Sequence, residues 1–299
     1  MKHQTPAVLR RARFLSVATI SLTLIGAQEA LARWSYRRTL PPSQRFHTDE
    51  ATAWTPLWRE TLTPLHGLTF FGRRGRDRMP RGDGTAVVLV HGFLTKGYYL
   101  EPLRRWLRAI GYDARIADIG FNADCFAVLA DRLLADVAAA RAESGRAVHL
   151  IGHSLGGALA RAAAVRAPDA VASLAVLGAP VRGLRLHPAL RLAAQAVRTA
   201  IHRRRGPTVP LTCATYACPC DAVQAIGAEM PDGVPYLTVT TQDDGVADWR
   251  YAVDLLATRV VAVRGTHFGL VFHRAVYEAL AEHLAAARTA PAALSRRQE

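Results

Sequence analysis

Ser154 stands in the run Gly152-His153-Ser154-Leu155-Gly156, and candidate acids and a candidate base follow it further along the chain. A serine hydroxyl is a weak nucleophile until a base removes its proton, and the base needs an acid to orient it. Asp243 and Asp244 follow an expected strand that ends at Thr241. His267, in Gly265-Thr266-His267-Phe268-Gly269-Leu270, comes after another that ends at Val263. Three such groups brought together would perform acyl transfer: attack on a carbonyl by Ser154, proton transfer through His267, and stabilisation of the imidazolium by an aspartate. Each residue also has a plainer use. Ser154 could cap a helix after a Gly-rich turn, and Asp243 or Asp248 could cap a helix starting near Trp249. His273 competes with His267 but falls inside a predicted helix.

The elements needed to position these groups are legible. Residues 147–151, apolar apart from His149, lead into Gly152, and an Ala/Leu-rich helical segment starts after Ser154. Strand, abrupt turn and helix are the context of a G-x-S-x-G nucleophile elbow, with the serine held strained and its hydroxyl exposed. Residues 86–90 form a continuous apolar run, as parallel strands buried on both faces do, and His91-Gly92-Phe93 ends it. Further strands are expected over 112–119, 171–177, 236–241 and 259–263. Helices are expected over 54–62, 98–110, 125–142, 184–202 and 271–286 from their apolar spacing. Strands alternating with helices specify an α/β chain with a mostly parallel, doubly wound sheet.

The chain has 299 residues, half of them apolar, enough for a substantial core. Its formal charge of +14 favours anionic surfaces. The basic residues are scattered, and no nucleic-acid-binding module accompanies them, so nucleic acid is not an expected partner. Lys2, Arg10, Arg11 and Arg13 precede an apolar run over 14–27, and Ala30-Leu31-Ala32 offers a cleavage site. That order predicts a signal peptide or N-terminal anchor over residues 1–32 and a secreted or membrane-associated protein; a cytoplasmic protein with a retained N-terminal helix is the alternative. Residues 33–84 read as an N-terminal helical and linker segment, 85–289 as the main domain and 290–299 as a tail. The four cysteines, Cys125, Cys213, Cys218 and Cys220, are candidate disulfide partners, for which three complete pairings exist. The spacing of the last three is not a common zinc-ligand pattern, and no metal site is expected.

Taken together, HGF after VVLV, IGHSLGG, LGAP, the aspartate of DDGVADWR and the histidine of GTHFGL resemble bacterial lipases and esterases of the α/β-hydrolase fold, most of all an actinobacterial, lipase-like group. The likeness runs from about residue 87 to 284. It implies Ser154 as nucleophile, Asp244 as acid, since Asp244 and not Asp243 precedes Gly-Val, and His267 as base. Ala247 and Thr266 stand where that group usually has Val and Ser. In this fold the backbone N–H groups of Leu155 and Phe93 would form the oxyanion hole, and His91 would shape the loop. A small helical cap is expected over about 181–235, whose helix over 184–202 carries Leu190, Ala193, Ala194, Val197 and Ile201 on one side. Such a face could meet a lipid surface or pack inward. The implied activity is hydrolysis of carboxylic esters, with acyl lipids as the expected substrates and no cofactor. A thioesterase, an acyltransferase or a non-catalytic lipid-binding module are the alternatives.

Overall fold

Short runs, mostly β-branched or leucine-rich, make the strands of a parallel sheet. These are β1 (Ala86–Val90), β2 (Asp113–Ile116), β3 (Val148–His153), β4 (Val171–Leu177), β5 (Tyr236–Thr241) and β6 (Arg259–Val263). The computed structural model describes residues 54–63, 79–206, 209–210 and 212–289, so the expected leader, most of residues 33–84 and the tail lie outside the described residues. The six strands run in the order β2-β1-β3-β4-β5-β6, and every neighbouring pair is parallel.

Alternate strand residues point to opposite faces, and both faces are covered. Val88, Val90, Leu150 and Val176 pack against α2 (Phe126–Ser144), α3 (Leu155–Arg166) and α5 (Asp221–Gly227). Val87, Leu89, Ile151 and Val239 pack against α1 (Glu101–Ala109) and α6 (Arg274–Thr289). Each fully buried Val or Leu contributes about 1.5–3 kcal/mol to such a core. The α/β, doubly wound architecture expected from the alternation is the one observed. The chain leaves β1 for β2 on one side and returns through β3 on the other, so the switch point lies between the carboxyl ends of β1 and β3. Ligands of open α/β sheets bind at such crevices. Among the described residues, no helix is long and apolar enough to cross a membrane.

Several helix ends differ from expectation. The 184–202 helix begins instead at Pro188 and runs to Arg205, as α4. Leu186 pairs with Ala247 in an isolated bridge, and proline suits a first helical turn. The helix expected over 271–286 divides into a 3-10 turn, Phe268–Phe272, and α6. His273 therefore lies between the two, where its Nδ1 accepts from the Ala275 amide. The helix expected over 54–62 is a 3-10 segment, Leu57–Leu62.

An unexpected charge supports the elbow helix. Arg161 of α3 is buried, with its Nε 2.9 Å from Asp254 Oδ2. Its other nitrogens donate to the carbonyls of Ala225, Ile226 and Ala228 at 2.6–3.1 Å. Tyr236 donates to the same Asp254 oxygen at 2.8 Å. Removing one partner of a buried pair leaves the other charge uncompensated, at a cost of about 3–5 kcal/mol. Arg161→Leu is expected to lower stability by about that much in urea titrations, and an unchanged midpoint would contradict the assignment.

Candidate active site

The strand β3 ends at His153, and α3 begins at Leu155, so one residue makes the turn between them. That residue is Ser154, with φ 57° and ψ −130°. Positive φ at a non-glycine residue is strained, worth about 1–3 kcal/mol, and persists where the surroundings impose it. The surroundings here demand glycines. A Cβ on Gly156 would collide with the carbonyls of Val90 and His91, and one on Gly152 would collide with the backbone of Gly156 and Gly157. The Ser154 amide donates to the Leu177 carbonyl at 2.9 Å, fixing the turn against the end of β4.

The aspartates separate by role. Asp244 is buried and its Oδ2 lies 2.6 Å from His267 Nδ1. Its Oδ1 accepts from the amides of Val246 and Ala247, both at 2.8 Å, which locks the carboxylate in place. Asp243 turns the other way, accepting from the Gly265 amide at 3.3 Å and pairing with Arg264 at 3.2 Å. Asp248 caps the 3-10 turn Trp249–Tyr251 by accepting from the Arg250 amide. Burial of His267 opposes its protonation, but the charge and hydrogen bond of Asp244 and the charge of Glu60 outweigh it and raise the imidazole above its ordinary value. Gly178, at φ +57°, ends β4 below the ring, where a Cβ would come 3.2 Å from His267 Nδ1.

A neutral chain of hydrogen bonds runs between the β1 loop and the His267 loop. The Gly92 amide donates to Tyr99 Oη at 2.8 Å, and that hydroxyl lies 2.8 Å from His153 Nδ1. His153 Nε2 lies 3.0 Å from the His267 carbonyl. Because the carbonyl can only accept, Nε2 carries the proton and Nδ1 accepts from the tyrosine. Burial, and then the nearby His267 charge, hold His153 well below its ordinary value. Burial raises the Tyr99 hydroxyl, so both stay neutral. His91 is buried with Nδ1 3.1 Å from Thr95 Oγ1 and 3.2 Å from the Gly92 carbonyl, which shapes the same loop.

Ser154, His267, Phe93 and Leu155 open on one cavity of about 180 Å³ at the carboxyl edge of the sheet. Leu190, Ala194 and Val197 of α4 line its far wall, so this face of α4 turns inward. Leu57 and Glu60, from the segment ahead of the sheet, also reach it. The candidate disulfide cysteines lie elsewhere. Cys125, Cys213, Cys218 and Cys220, all free thiols, line a second cavity of about 260 Å³ beside Arg205.

Comparison with known proteins matches residues 85–217 to a family model described as the alpha/beta hydrolase fold. Among solved structures, the mature lipase of Bacillus licheniformis aligns with 69% of this chain and 94% of its own at 16% identity, with a TM-score of 0.49. Naproxen esterase from Bacillus subtilis aligns with 68% of this chain and 84% of its own at 16% identity, TM-score 0.44. The 2-hydroxy-6-oxo-6-phenylhexa-2,4-dienoate hydrolase of Rhodococcus sp. strain RHA1 aligns with 68% and 92% at 18% identity, TM-score 0.48. With six parallel strands wrapped on both faces by helices and that family match across the elbow, the chain has the α/β-hydrolase fold.

Proposed function

We propose that the protein is a serine hydrolase of carboxylic esters, acting on acyl chains through an acyl-enzyme on Ser154. The observation that carries this reading is that His267, held by Asp244 at 2.6 Å, opens with Ser154 on one apolar cavity. In this reading His267 takes the Ser154 proton as the hydroxyl attacks the ester carbonyl and then passes it to the leaving alcohol. Asp244 fixes the Nδ1–H tautomer and stabilises the imidazolium. The amides of Leu155 and Phe93 hold the oxyanion, and water then cleaves the acyl-enzyme with His267 again as base.

The cavity wall of Leu184, Leu186, Leu190, Ala194 and Val197 suits an acyl chain rather than a charged group. Burying one methylene is worth ~0.8 kcal/mol. With p-nitrophenyl esters of graded length, kcat/KM is therefore expected to rise about fourfold per methylene until the cavity is full. Ala194→Trp should flatten that rise for longer chains while leaving the acetate ester near wild type. A flat series in the wild-type enzyme would remove the acyl-chain part of the proposal. Transfer of the acyl group to an added alcohol in preference to water would make the enzyme an acyltransferase.

A further inference from the structure

Glu60 belongs to the short 3-10 segment Leu57–Leu62, ahead of the region that the family model matches and far in sequence from either loop of the acid–base pair. Its carboxylate nevertheless joins those loops. Oε1 accepts from the Gly245 amide at 3.3 Å and from the His267 amide at 3.0 Å, and Oε2 accepts from the Phe268 amide at 3.0 Å. Gly245 follows the acid and His267 is the base, so one side chain spans both.

The segment around it is held independently. Thr63 Oγ1 lies 2.9 Å from Thr266 Oγ1 in a buried contact. Trp54 meets His187, the cap of α4, edge to face at 5.5 Å. The chain runs so close that a Cβ on Gly245 would lie 2.8 Å from the Thr55 carbonyl oxygen. Hydrogen bonds to an ionised acceptor are roughly twice as strong as neutral ones, and three of them from two loops restrain their relative position.

We propose that Glu60 is a positioning residue of the active site: its carboxylate clamps the Asp244 loop to the His267 loop and keeps a negative charge beside the imidazole. The catalytic consequence rests on the reading of Ser154, Asp244 and His267 given above, whereas the effect on the His267 ring does not. The groups facing that ring are Asp244 from the loop after β5, Glu60 from the N-terminal segment and neutral His153 from the end of β3. Arg264, on the base loop itself, pairs with Asp243. Glu60 favours the charged imidazole, so removing its charge shifts the ring's titration to lower pH. Because the base works only when neutral, the acid limb of kcat moves to lower pH with it.

The test uses the full chain with two variants that separate charge from reach. In Glu60→Gln the charge is lost, and one amide end presents donors to the Phe268 amide. The His267 ring, assigned in NMR spectra by its loss in His267→Gln, should titrate at lower pH than in the wild type. Away from the acid limb, kcat should fall about ten- to hundredfold, the size of a small misplacement of reacting groups, with KM within about twofold. In Glu60→Asp the charge remains on a stem too short to reach both loops. Its His267 titration should stay near wild type while kcat falls. An unchanged His267 titration in Glu60→Gln overturns the charge role, and wild-type kcat in Glu60→Asp overturns the clamp. If the wild type turns over no ester and takes no fluorophosphonate, the hydrolase reading fails, and the NMR titration still decides whether Glu60 acts on His267. If Glu60→Gln does not fold, Glu60→Asp decides both parts: wild-type kcat overturns the clamp, and a His267 titration moved as far from wild type as in a charge-free Glu60→Ala overturns the charge role.

Discussion

Ser154→Ala is expected to abolish ester turnover, with a loss on the order of 10⁶ in kcat, while leaving the fold intact. The loss is large because nucleophile, base and acid act as a unit, so removing one forfeits nearly all of the covalent route. The fold should survive because the turn is fixed by backbone contacts and not by the hydroxyl. The Ser154 amide donates to Leu177, the Gly157 amide donates to the Ser154 carbonyl, and no side-chain hydrogen bond caps α3. Alanine tolerates φ 57° no better than serine does, so the strain remains and stability changes little. Turnover near wild type in Ser154→Ala, with a thermal midpoint equal to that of the parent, would place the reaction elsewhere.

The second large effect separates the adjacent aspartates. Asp244→Asn should cost about 10⁴ in kcat, because an amide at this position favours the wrong imidazole tautomer. Its Oδ1 bonds to the Val246 and Ala247 amides can be kept by the asparagine oxygen, so the loop should hold its shape. Asp243→Asn loses only a partly exposed pairing with Arg264 and weakens the contact to the Gly265 amide. Exposed pairs contribute about 0–1 kcal/mol, so its kcat should stay within about tenfold of wild type. Steady-state kinetics of both variants, with denaturation midpoints as controls, check this. The reverse pattern would make Asp243 the acid.

Much of this arrangement is legible in local sequence. Strands β4 and β5 fall where the runs bounded by Gly178 and Pro235 place them, because a buried parallel strand is specified by its own composition; β6, at the sheet edge and largely exposed, is marked by its valines. The residues proposed to carry the chemistry are found for a related reason: each follows a strand end, where open α/β sheets gather their sites. Helix limits are less legible. The apolar periodicity of residues 184–202 continues through Leu186, but that residue pairs with Ala247 and the helix waits for Pro188. His273 looks helical by pattern and instead caps α6.

Arg161 and Glu60 carry no local signal at all. Arg161 reads as one more basic residue on an Ala-rich helix, and its meaning comes from Asp254, which is brought against it only by tertiary folding. Glu60 reads as the polar side of a short amphipathic segment, and its partners lie 185–208 residues away. Pattern reading finds elements that bury their own apolar faces. It does not find a polar side chain whose partners are backbone amides on distant loops.

The central claim is that Ser154 is a nucleophile activated by His267. The most direct test is covalent labelling of the whole protein with a fluorophosphonate, followed by peptide mass mapping. A single phosphonyl adduct is expected on the peptide carrying Gly152-His153-Ser154, absent in Ser154→Ala and formed far more slowly in His267→Ala. An adduct on any other residue, or an active esterase that takes no label, would contradict it.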